Sequence, residues 1–153
     1  MPLYLVQHGK SLPKNVDPDQ GLSAEGADET ERIADVAASY GVTVAHIKHS
    51  GKTRAQKTAE IFASALNPTR GVKEVPGLKP MDDVKAFAAS LNPDKNTMLV
   101  GHLPFMERMT AFLVTGSTDN MIFKFQNSGI VCLYKDPDSK SWIIIWTLMP
   151  RIG

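Results

Sequence analysis

Cysteine is almost absent from this chain: Cys132 is the only one in 153 residues. It has no partner for an internal disulfide, and every structural zinc site built on several cysteines is excluded. A lone thiol in an apolar stretch reads as inert core, and a reducing, cytoplasmic setting is the expectation. Long apolar runs are missing too. The N-terminus MPLYLVQHGK has one short apolar run before Gln7 and His8, too short for the apolar region of a signal peptide. Nothing approaches the roughly 18 apolar residues of a membrane span, so no membrane partner is expected. An excess of one charge is also lacking. Lysine plus arginine number 17 and aspartate plus glutamate 16, a net charge of +1. There is no global pull toward nucleic acid, and any anion site must be local. No carboxylates and histidines cluster with ligand spacing, so neither a metal nor an organic cofactor is expected. His46 and His49 lie three apart on a strand candidate and would face opposite sides.

What remains is ordinary in composition, with 42% hydrophobic and 22% charged residues. A chain of this length suits one domain over 1–153. Its periods alternate. Leu3–Val6 is a continuous apolar run, as in a strand buried on both faces. Ile33, Val36, Ala37 and Tyr40 keep helical spacing across 24–40, behind a candidate cap at Ser23 and ahead of Gly41. Strand candidates follow at 42–49, 72–75 and 97–100. Helices are predicted over 52–66, over 82–91, and from Pro104, at a first helical position, to Gly116. Met121–Phe125, Ile130–Lys135 and Trp142–Leu148 read as strands, with Trp142 and Trp146 on one face of the last. The loop Leu12–Gly21 is rich in proline, asparagine and aspartate. The fold class implied is α/β, a mostly parallel sheet with an antiparallel addition near the end.

In such sheets ligands bind beyond the carboxyl ends of the strands. Three strand ends carry polar residues: Gln7-His8-Gly9-Lys10, then His49-Ser50-Gly51-Lys52-Thr53-Arg54, then Gly101-His102-Leu103-Pro104. Two of these lead straight into helix N-termini, where free N–H groups attract anions. A neutral imidazole can attack phosphorus, an arginine can grip two phosphoryl oxygens, and a second histidine can bond a third. Glycine beside each histidine allows close approach of a ligand.

These residues carry a resemblance. Leu5-Val6-Gln7-His8-Gly9 resembles the L-x-R-H-G signature of the histidine phosphatase superfamily, the phosphoglycerate mutase-like branch. Leu22-Ser23-Ala24-Glu25-Gly26 is similar to its L-[ST]-x-x-G segment. The stretch Ser50 to Ala59 resembles S-x-x-x-R-A-x-x-T-A, and Leu99-Val100-Gly101-His102 resembles the second-histidine motif. Asn127-Ser128-Gly129-Ile130 sits where the family often begins a strand with small residues. Length and the short middle region look most like the small SixA-type phosphohistidine phosphatases. The resemblance implies a three-layer α/β/α fold. It also implies catalysis by His8, Arg54 and His102, with Gln7, Gly9, Lys10, Ser50, Lys52, Arg54 and His102 around the phosphoryl group. Position 7 departs from the pattern, since the family has arginine there. Glutamine donates a hydrogen bond without charge, and Lys10 or Lys52 could restore it.

The implied activity is a phosphatase working through a covalent phosphohistidine. The favoured substrate is a phosphohistidine on a partner protein, because no large insertion lids the pocket. Two alternatives stay open: a phosphatase of small phosphate esters, and a non-catalytic module binding phosphate, sulfate or a phosphoprotein. Glu25, Glu74, Asp82 and Asp83 are all candidates for a general acid.

Overall fold

The computed structural model describes residues 1–152. Ten elements follow one another: β1 (Leu3–Gln7), α1 (Ala24–Ser39), β2 (His46–His49), α2 (Thr53–Leu66), β3 (Val72–Glu74), α3 (Val84–Ala89), β4 (Thr97–Gly101), α4 (Phe105–Thr115), β5 (Ile130–Lys135) and β6 (Trp142–Leu148). They build a six-stranded sheet in the order β3-β2-β4-β1-β5-β6. The first four strands run parallel, β5 runs antiparallel to β1, and β6 antiparallel to β5. The most continuous apolar runs take the middle. β4 is buried throughout and β1 through Val6, as expected of strands covered on both faces, whereas β3 at the edge is exposed.

Alternate strand residues feed two cores. Tyr4, Val6, Ile47, Met98 and Val100 pack with Ile33 and Ala37 of α1 and Ala59 and Phe62 of α2. Leu3, Leu5, Leu99, Val131 and Leu133 pack with Val84 of α3 and Met106 and Met109 of α4. The result is the three-layer α/β/α arrangement expected. Ser23 caps α1, its hydroxyl accepting from the Gly26 N–H at 3.0 Å. The polar loop at 12–21 is pinched at its base, with the Leu12 N–H donating to the Gly21 carbonyl at 2.8 Å. Among the described residues no helix is long and apolar enough to cross a membrane.

Four local expectations need correction. Met121–Phe125 is not a strand. Its alternating aromatics serve as anchors instead: Phe125 is buried, its N–H donates to the Glu107 carboxylate at 3.3 Å, and it meets Phe123 edge to face. Trp142 and Trp146 do not share a face. Cys132 pairs with Trp146 but Leu133 with Ile144, so Ile145 is an extra residue in β6. That bulge rotates the strand, and Trp142 packs on the α4 side while Trp146 packs on the α1 side. Pro104 is the cap residue of α4 rather than its first helical residue, after a cis Leu103–Pro104 bond. Helix α3 is shorter than 82–91: the Asp83 side chain accepts from the Ala86 N–H and caps the helix, which starts two residues later at Val84 and ends at Ala89.

Candidate active site

β2, β4 and β1 are adjacent and parallel, so their carboxyl ends open onto one edge of the sheet. β1 delivers His8, whose N–H continues the ladder by donating to the Gly101 carbonyl at 2.9 Å. The turn after β2 delivers Ser50 and, one residue into α2, Arg54. β4 delivers His102. The His8 and His102 rings lie 5.0 Å apart between centroids, inclined at 54°. Arg54 donates from Nε to His8 Nε2 at 3.3 Å. Ser50 Oγ lies 2.6 Å from His102 Nε2.

The His8 tautomer follows from its partners. Nδ1 sits 2.7 Å from the Gly9 carbonyl, which can only accept, so the ring hydrogen is on Nδ1. Nε2 therefore keeps its lone pair and faces the guanidinium. Burial pushes the His8 pKa down to about 4; the Gly9 bond opposes this and the Arg54 charge adds to it. His102 is pushed to about 3, first by burial, then by the neighbouring His8, Arg54 and Lys52. Both rings are neutral at pH 7.

This has a consequence for stability. Both folded values lie below the ordinary 6.5, so as pH falls the unfolded chain takes up these protons first. The stability associated with the two neutral rings is complete above about pH 6.5. It is lost progressively down to about 4 for His8 and about 3 for His102. The melting temperature should therefore fall between pH 7 and pH 4, and a His102→Asn variant should show a flatter profile. An unchanged slope in that variant would mean the ring is not held neutral.

Behind the site a set of buried hydroxyls and amides positions it. Thr58 is fully buried; its hydroxyl accepts from the Gly9 N–H at 2.9 Å and donates to the Arg54 carbonyl at 2.7 Å. One side chain thus ties the backbone of His8's neighbour to that of Arg54. Asn127 Nδ2 donates to the His8 carbonyl at 2.8 Å. The Ser128 N–H donates to the Gln7 carbonyl at 2.8 Å, and its hydroxyl pairs with Thr30 at 2.7 Å. Sequence reasoning assigned no role to Thr58 or Asn127. The spacing of Thr58 four residues after Arg54 was the available signal, since a threonine hydroxyl on a helix reaches that carbonyl.

The other sequence candidates divide. Gln7 ends β1 with its Oε1 buried and unpartnered. Lys52 caps α2, and its ammonium has no ion-pair partner among the described residues. Lys10 is paired: its ammonium meets the Glu25 carboxylate at 2.8 Å, which holds that carboxyl below its usual range. Gly9 has a packing duty: a Cβ there would lie 2.7 Å from Thr30 Oγ1, and its N–H donates to Thr58, so the glycine lets the turn after β1 lie close to α1. Of the acid candidates, Asp82 and Asp83 accept from the Lys79 and Ala86 N–H groups, and Glu74 packs against Gly51. His49 is buried and accepts at Nδ1 from the Gly51 N–H at 3.0 Å, locking the turn. Burial pushes the Cys132 thiol up to about 12, as fits inert core. Among the described residues no three His, Cys, Asp or Glu side chains gather as a metal site.

A lone pair on imidazole facing a guanidinium, at the carboxyl edge of an α/β sheet, is an arrangement suited to phosphoryl transfer. Residues 3–86 match the model of the histidine phosphatase superfamily, branch 1, and the chain belongs to that superfamily. It is a histidine-type phosphatase. Among solved structures it is similar to the protein histidine phosphatase SixA complexed with tungstate, at 27% identity and a TM-score of 0.84, over 98% of this chain and 97% of that one. It is similar to the proposed phosphohistidine phosphatase SixA from Agrobacterium tumefaciens at 25% identity and a TM-score of 0.79, over 97% of both. A phosphoserine phosphatase from Entamoeba histolytica, in complex with 3-phosphoglyceric acid, shares the fold at 15% identity and a TM-score of 0.72, over 95% of both chains. No curated protein sequence matches this chain.

Proposed function

We propose that this phosphatase removes the phosphoryl group from phosphohistidine on a partner protein, with His8 as the covalent carrier. The observation that carries the reading is the His8 ring, neutral, with Nδ1–H fixed on the Gly9 carbonyl and the Nε2 lone pair beside Arg54. In the first step His8 Nε2 attacks phosphorus and the P–N bond to the substrate imidazole breaks. The departing ring takes its proton from water. In the second step water attacks the phosphorylated His8, releasing inorganic phosphate and restoring the ring. Arg54 and His102 bind the phosphoryl oxygens throughout, with the Lys52 charge close to His102.

Two features support a protein substrate over a small ester. The 30 residues between α2 and β4 hold β3, α3 and their connections, which leaves no large insertion to form a lid. Three of the four acid candidates are engaged, Glu25 with Lys10 and Asp82 and Asp83 with backbone N–H groups, while Glu74 lies against Gly51. An imidazole leaving group needs less protonation than an alkoxide, so P–N cleavage depends less on a dedicated acid than ester cleavage does. The similarity to the SixA protein histidine phosphatase supports the same reading, and the tungstate bound in that structure supports a phosphate-like ligand here.

The test is turnover of a phosphohistidine-bearing protein against a panel of metabolite phosphate esters, read as released phosphate. The expected result is a higher kcat/KM for the protein than for any ester. The reverse order would assign the same site to small esters, and phosphate binding without any turnover would overturn the catalytic reading.

A further inference from the structure

Ser50 is buried, and its hydroxyl is engaged by two neighbours. Oγ lies 2.6 Å from His102 Nε2 and accepts from the Lys52 N–H at 3.3 Å. His102 is itself 1% exposed, and its Nδ1 is buried without a partner. A hydroxyl has one hydrogen and two acceptor positions, and a neutral imidazole has one hydrogen to place on either nitrogen. Two assignments are therefore possible. If His102 carries its hydrogen on Nε2 and donates to Ser50, the serine accepts twice. Its own hydrogen is then buried with no acceptor, and the Nδ1 lone pair is unpartnered as well. If Ser50 donates to Nε2, the serine is satisfied, and the only unpaired group left is an N–H at His102 Nδ1. Buried polar groups cost about 1–3 kcal/mol each when unpaired, so the second assignment is the favoured one.

We infer that Ser50 is a positioning residue: by donating to His102 Nε2 it holds that ring as the Nδ1–H tautomer, so that an N–H is presented to the phosphoryl group. This inference deepens the proposed phosphoryl site and rests on His102 belonging to it. The remaining orphan then has a reason, because an unpaired buried donor at such a site is one that a ligand oxygen completes. The two histidines share one tautomer and use opposite ends of it. His8 directs its lone pair at Nε2 toward phosphorus, and His102 directs its hydrogen at Nδ1 toward oxygen. The Lys52 N–H contributes by occupying one Ser50 lone pair, which turns the hydroxyl hydrogen toward the imidazole.

The test combines nitrogen NMR with kinetics on the full chain. In ¹⁵N-labelled wild type without ligand, His102 should show a protonated Nδ1 and an unprotonated Nε2. The opposite pattern would overturn the inference, whatever the enzyme does to substrate. Ser50→Ala should lower kcat by about tenfold with little change in KM, comparable to the low end of losses seen when a group behind a metal-bound imidazole is removed. Ser50→Thr, which keeps the hydroxyl, should restore most of it. His102→Asn places an amide N–H near the δ position and His102→Gln near the ε position, so Asn should retain more tungstate affinity than Gln. In the His102→Asn background Ser50→Ala should have no further effect on kcat. A full Ser50→Ala effect there would mean that Ser50 acts on the substrate directly. Loss of turnover in wild type with the tautomer as stated would instead strike the proposed function and leave the positioning role standing.

Discussion

His8→Ala is expected to abolish formation of an acid-labile, base-stable phosphoenzyme and to lower kcat on the order of 10⁴–10⁶-fold, the scale at which loss of a nucleophile disables a catalytic unit. The size of the effect follows from the geometry. His8 Nε2 is the unprotonated ring nitrogen, its lone pair directed at Arg54 Nε, which donates to it at 3.3 Å. His102 cannot substitute, because its Nε2 is held by Ser50. The fold should survive. The strands around position 8 are held by backbone bonds to Gly101 and by Asn127, which bonds the His8 carbonyl rather than its ring. Trapping with a labelled phosphodonor, with a melting curve as control for folding, makes the measurement. Turnover at the parent rate in a folded variant would sink the covalent mechanism.

Gln7→Arg should have the opposite sign, raising phosphatase activity or oxyanion affinity by about tenfold or more. One preorganised donor to the developing charge is typically worth about 10²–10³ in rate. The signature that Leu5–Gly9 resembles has arginine at this position, and the structure shows little compensation for its absence. Lys10 is neutralised by Glu25 on the surface, which leaves Lys52 as the cation beside His102. The amide oxygen of Gln7 is buried without a donor, so its replacement gives up no hydrogen bond at that atom. A second guanidinium near Arg54 should also lower the melting temperature of the free protein, and bound tungstate should restore it. Lys52→Ala should reduce activity in the wild type and less so in Gln7→Arg. If neither substitution changes binding or turnover, position 7 lies outside the phosphoryl pocket.

Much of this was legible because it is local. The apolar runs at 3–6 and 97–100 mark strands covered on both faces, and those strands occupy the centre of the sheet. Helical spacing over 24–40 and 52–66 located α1 and α2 to within one residue at each end. Alternation failed where its cause was not a strand. Phe123 and Phe125 are two apart because both pack against α4, not because a ladder holds them. It failed again in β6, where one extra residue at Ile145 sends Trp142 and Trp146 to opposite faces; a bulge leaves no mark in the pattern of hydrophobic residues.

The order of strands, helices and strand-end residues is a property of the sequence, and with it came the α/β class and the gathering of His8, Arg54 and His102 at one edge. Short-range periodicity and the rule for ligand sites in parallel sheets suffice for that. Which atom of each residue does the work was decided by tertiary structure. The partners that set it are remote in the chain: Gly9 with Thr58, Ser50 with His102, His8 with Asn127. The turning of Lys10 onto Glu25, the packing duty of Gly9 and the orphaned Nδ1 of His102 are likewise outcomes of packing. A hydrogen bond depends on distance and angle at the scale of tenths of an ångström, and residue spacing along a chain carries no such information until the sheet brings the strand ends together.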